Sequence, residues 1–122
     1  MKNLFFLLLL FSLIGCQNKK ETTTTSIDDT ASKISGQELF EGKGNCTACH
    51  QPDQKIIGPS LQEIAKIYKE KNGNIVSFLK EESEPIIDPS QYEIMKTNLI
   101  ITKSMSDEEL KALEEYIYSF SK

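Results

Sequence analysis

Residues 46 to 50 read Cys-Thr-Ala-Cys-His, and no other stretch restricts so narrowly what this 122-residue chain can fold around. Two thiols three positions apart fall on one side of a tight helical turn, and an imidazole follows at once. The stretch uses two of the three Cys and the single His of the whole chain. With this spacing both thiols can add to the vinyl groups of a haem while the imidazole reaches the iron as an axial ligand. One His and three Cys also exclude sites built from two His or four thiolates, and with them most metallohydrolase schemes.

Other uses of the same residues fit less well. A thioredoxin-like Cys-x-x-Cys requires a preceding strand and a βαβ context, whereas here a helix-like segment and a Gly-rich turn come first. A structural disulfide would account for Cys46 and Cys49 in an exported chain, though not for the adjoining His50. Zinc would need a fourth ligand, and Cys46, Cys49 and His50 lie too close in sequence to close a tetrahedron easily.

The remaining composition narrows the partners. The 14 basic residues are all Lys, set against 18 Asp plus Glu, for a formal charge of −4. That balance lacks the basic footprint of a nucleic-acid binder. The length permits one small domain, and its modest apolar core would gain from a cofactor.

The chain divides into three parts. Residues 1–15 carry Lys2 and then an apolar stretch from Leu4 to Phe11, too short to span a bilayer, which reads as a cleaved export signal. It ends Leu13-Ile14-Gly15-Cys16, which resembles a bacterial lipobox. The resemblance implies cleavage before Cys16 and its lipidation; ordinary cleavage would instead leave Cys16 a free thiol. Residues 16–33 are polar, with Ile27 the only large apolar side chain, and read as a flexible tether with a reach of roughly 23 Å. Residues 34–122 form the folded domain.

Within that domain the pattern predicts an all-α fold of about four helices. Ser35 with Glu38, Ser60 with Glu63, and Ser106 with Glu109 each have the spacing of a capping box. Ile34 with Leu39 and Met105 with Leu110 are candidate hydrophobic staples. Helices are predicted from Gly36 to about Gly42, from Leu61 to about Asn72 with Gly73 as the stop, from Ile75 to Glu82 behind an Asn74 cap, and from Asp107 to about Ser121. In the last, Leu110, Leu113, Tyr116, Ile117 and Phe120 make one apolar stripe. No run alternates as a strand does.

From residue 34 onward the chain resembles the class I cytochromes c, the small monohaem bacterial type. The features that carry the resemblance are the first helix with Gly36 and Phe40, then Cys46 to His50, Gly58-Pro59, and a last helix bearing Tyr116. It implies one covalent haem c per chain, with Cys46 and Cys49 as thioethers and His50 on the iron. It further implies that the Pro59 carbonyl accepts the His50 Nδ1–H, and that Phe40 and Gly36 meet Tyr116 where two helices cross. A thioether is the expected sixth ligand, because it favours ferrous iron. Beyond the signal, Met95 and Met105 are available. Met105 is already explained by its staple, so Met95, expected on an irregular stretch after Pro89, is the first choice and Met105 the alternative. Asn98 resembles a position at which relatives carry an Asn bonded to the Met sulfur. The expected role is one-electron transfer between redox partner proteins, by a lipid-anchored monomer on the outer side of a bacterial membrane or in the periplasm, with no small-molecule substrate and no catalysis of its own. The partner's face is expected to be basic or mainly apolar. A haem c enzyme subunit or gas sensor with an open sixth position stands as the alternative.

Overall fold

Serine hydroxyls start three of the helices, as the spacing predicts. The computed structural model describes residues 34–122, so the expectations for the export signal, Cys16 and the tether lie outside the described residues. Five α-helices and two 3₁₀ turns follow in order: α1 (Gly36–Glu41), a 3₁₀ turn (Cys46–Ala48), α2 (Leu61–Glu70), α3 (Ile75–Leu79), a 3₁₀ turn (Pro89–Gln91), α4 (Tyr92–Thr102) and α5 (Asp107–Tyr118). The fold is all-α; among the described residues the only β pairing is an isolated bridge between His50 and Lys55.

The backbone N–H groups of Glu38, Glu63 and Glu109 donate to the hydroxyls of Ser35, Ser60 and Ser106. The return bond that completes a capping box forms among the described residues at Ser106, whose N–H donates to the Glu109 carboxylate at 2.9 Å. Glu109 is held there by Lys43, whose ammonium lies 2.7 Å from the same carboxylate. Asn74 caps α3 by accepting from the Ser77 N–H.

Three expectations need correction. The segment after Pro89 is not irregular: it is the eleven-residue α4, which carries Met95 and brings the helix count to five. Pro89 opens the 3₁₀ turn that nucleates it, a position where its missing N–H costs nothing. Its apolar residues face several ways, with Leu99 fully buried and Ile94 and Ile100 exposed, so no single stripe marks a helix. The stop after α2 is made by Asn72 at φ 50°, not by Gly73. Gly73 donates its N–H back to the Tyr68 carbonyl, closing a Schellman-type turn. Finally, α2, α3 and α5 end two or three residues earlier than the pattern implies.

The core gathers around α5. Leu110 and Leu113 are fully or almost fully buried, as are Leu61 and Ala65 from α2 and Ile75 from α3. Met105 and Leu110 are both buried, as a staple requires, whereas Ile34 stays 40% exposed and its staple is partial. α1 crosses α5 at Gly36, where a Cβ would lie 2.0 Å from the Ala112 carbonyl oxygen. Only a residue with no side chain allows that approach. One turn further on, the rings of Phe40 and Tyr116 meet with centroids 5.4 Å apart, a separation at which aromatic pairs attract beyond their buried area. The crossing therefore holds as the resemblance implies, and Phe40 of α1 and Leu113 and Ile117 of α5 also line a cleft.

Candidate cofactor site

The chain enters the site through Asn45, which adopts a left-handed φ of 50° and turns the backbone into the Cys46–Ala48 turn. Asn tolerates this conformation better than other residues with a side chain. A 3₁₀ turn eclipses side chains three apart, so Cys46 and Cys49 project to one side, and both line the same cleft. Both are free thiols. Cys46 is buried, and burial together with the neighbouring Cys49 pushes its thiol up to about 11. Among the described residues no three His, Cys, Asp or Glu side chains converge as metal ligands would.

His50 follows at once, tied by its N–H to the Cys46 carbonyl at 2.9 Å. Its Nδ1 lies 2.8 Å from the Pro59 carbonyl oxygen. A carbonyl can only accept, so Nδ1 carries the proton and Nε2 keeps its lone pair for a metal. Burial lowers the imidazole pKa, and the Pro59 bond opposes that in part; the neutral ring is the form that ligates. Gly58 allows the loop to close on the ring, since a Cβ there would sit 2.5 Å from His50 Cε1. Sequence reading takes Gly58 only together with Pro59; its contact with the imidazole emerges from the fold.

The lining of the same cleft includes Met95 and Asn98 of α4, while Met105 lies in the hydrophobic core and takes no part in it. The rest of the lining is mainly apolar, among it Phe40, Ile64, Tyr68, Phe78 and Ile86, with Asn45, Asp88 and Gln91 as polar members. The cleft encloses about 180 Å³ of space accessible to water and opens to solvent at its mouth. Two thiols, one oriented imidazole and one thioether lining a mainly apolar cleft form the donor set of a covalently attached haem, so the residues fit that group. The Asn98 amide donates to the Gly44 carbonyl at 2.9 Å. An amide carries two N–H groups, so this bond leaves one for another acceptor. Thr102, which sequence reading passes over, is completely buried and donates its hydroxyl to the Leu79 carbonyl at 2.7 Å. The signal that could have found it is its spacing of four from Asn98 and seven from Met95, visible once the segment is known to be a helix.

Comparison with known proteins points to the same group. Residues 34–121 match the family model for cytochrome c. The chain is 33% identical over 85 residues to a cytochrome c-551 of Pseudomonas denitrificans, covering 67% of this chain and 93% of that protein. It is 58% identical over 31 residues to a cytochrome c2 of Rubrivivax gelatinosus, covering 25% of this chain and 36% of that protein. It is 45% identical over 38 residues to a cytochrome c-551 of Azotobacter vinelandii, covering 31% of this chain and 45% of that protein. These last two matches thus span less than half of each relative's length. The chain belongs to the cytochrome c family. Membership implies a covalently bound haem c with its iron.

Proposed function

We propose that this protein is a one-electron carrier, tethered to a membrane, that passes electrons between redox partner proteins and transforms no substrate. Bound haem supplies the iron couple that gains and loses the electron. Cys46 and Cys49 hold the group through thioethers, which keeps it in place outside the cell. With its ring fixed by the Pro59 carbonyl, His50 would hold the iron through Nε2, and Met95 of α4 would hold it through its sulfur. The second N–H of Asn98 would support that sulfur. The mainly apolar lining would limit access of water to the metal, and two protein ligands would limit rearrangement between oxidation states. Residues 1–15 act as an export signal, and lipid on Cys16 anchors a monomer on the outer side of a bacterial membrane or in the periplasm.

One observation carries the reading: the Cys46–His50 turn and Met95 line one apolar cleft, with the imidazole already oriented by Pro59. The test uses haem-loaded protein. Met95→Ala is expected to abolish the near-infrared band of sulfur-ligated ferric haem and to open the reduced protein to carbon monoxide, whereas Met105→Ala keeps the band. The reverse pattern would move the ligand to Met105, and rapid carbon monoxide binding by the unaltered protein would refute the carrier reading.

A further inference from the structure

α4 is the helix that carries Met95, and it is the least firmly packed. α5 packs along α1, α2 and α3, whereas the only comparable neighbour of α4 among the described residues is the 3₁₀ turn that leads into it. Of its eleven residues only Leu99 and Thr102 are buried, while Ile94 and Ile100 are 57% and 72% exposed. Its apolar anchoring rests on Leu99, with Tyr92, Met95 and Ile101 partly buried against the core. Two polar side chains supply what packing does not. Asn98 and Thr102 stand one helical turn apart, on the stripe that begins at Met95. The Asn98 amide reaches across 54 residues of sequence to the Gly44 carbonyl. The Thr102 hydroxyl reaches the Leu79 carbonyl at 2.7 Å, at the end of α3, and shares itself with its own Leu99 carbonyl at 3.2 Å.

We propose that Asn98 and Thr102 are positioning residues: their hydrogen bonds latch α4 to the loop before Cys46 and to the end of α3, and so set how firmly Met95 stands over the cleft. The inference rests on Met95 being the sixth ligand. The Asn98 latch tightens when the cofactor is attached. In the free thiol form Cys46 Sγ also donates to the Gly44 carbonyl, at 3.4 Å. A thioether sulfur has no hydrogen to give, so attachment leaves Asn98 as the only side-chain donor to that carbonyl. One amide thereby joins α4, which carries Met95, to the loop that leads into the attachment turn.

The experiment compares haem-loaded Asn98→Asp, Thr102→Val, Thr102→Ser and Met95→Ala with the unaltered protein. Asn98→Asp keeps the shape and loses the donor; Thr102→Val keeps the volume and loses the hydroxyl; Thr102→Ser retains it. The readouts are carbon monoxide binding to the reduced protein, the near-infrared ferric band, and amide exchange in residues 96–102. Losing a bond to a buried carbonyl is expected to speed carbon monoxide binding about tenfold in Asn98→Asp and in Thr102→Val, with faster exchange across α4, while Thr102→Ser behaves as the unaltered protein. Ser106→Ala removes the hydroxyl that caps α5, outside the cleft lining, and is expected to melt lower with carbon monoxide binding unchanged. Unaltered binding and exchange in both donor-deleted variants would overturn the latch, as would equal acceleration in Ser106→Ala. An effect confined to Asn98→Asp, without change in α4 exchange, would reduce Asn98 to a partner of the sulfur. Retention of the band in Met95→Ala would instead overturn the ligand assignment on which the latch rests.

Discussion

Replacing Gly36 with Ala sets two physical effects of opposite sign against each other. In an open helix the change is stabilising, by at most about 1 kcal/mol, because Ala loses less backbone freedom on folding. At the α1–α5 crossing the added Cβ would meet the Ala112 carbonyl oxygen at 2.0 Å and the Tyr116 Cβ at 2.7 Å. Ordinary contact begins near 3.4 Å, so the helices must part by about 1.4 Å at that point. The obstacle is backbone and cannot rotate away. Overpacking of this kind costs about 1–3 kcal/mol, and parting also loosens the Phe40–Tyr116 pair, which is worth about 0.5–1.5 kcal/mol beyond its area. Steric strain therefore wins, for a net loss of about 2 kcal/mol. For a domain this size that lowers Tm by about 8–16 °C, measured by circular dichroism on the haem-loaded protein. A variant that melts at or above the unaltered temperature would refute the close crossing.

The same interface makes Phe40→Ala costly. The ring is 4% exposed, and its removal is expected to lower stability by about 3–5 kcal/mol in denaturant titration; an unchanged midpoint would contradict its burial. A third perturbation is pH. The Lys43 ammonium, with help from the Ser106 N–H, holds the Glu109 carboxyl below its ordinary 4.5. The folded state thus favours the ionised form, so the contribution is complete above about pH 4.5 and disappears as pH falls through the depressed folded value. Glu109→Gln is expected to melt lower than the unaltered protein at pH 6 and to converge with it in acid; a constant difference across that range would exclude the linkage.

Local chemistry made much of this molecule readable in advance. The Cys46–His50 turn and the Ser35, Ser60 and Ser106 caps each act within a few residues, so their signals sit in short stretches of sequence. The α5 stripe was clear because one face of that helix is buried and the other is wet. α4 was hidden for the opposite reason: Ile94 and Ile100 face solvent while Met95 and Leu99 turn inward, which scrambles the period. Gly73 drew attention as a helix stop because glycine tolerates left-handed backbone, yet Asn72 takes that conformation, and the space at Gly73 serves the close approach of Ile86 and Tyr68. The Asn98 and Thr102 bonds span 54 and 23 residues. No local pattern encodes a partner that only the tertiary fold brings near.

Because α1 meets α5, the two ends of the domain fasten to each other, and everything that touches the cofactor lies within the loop they close. Such a ring has no free end from which to fray: when the last helix leaves, the first loses its seat, and the span between them is released as a whole. Shortening α5 would therefore disturb the cleft through both helices at once, since Phe40 of α1 and Leu113 and Ile117 of α5 all line it.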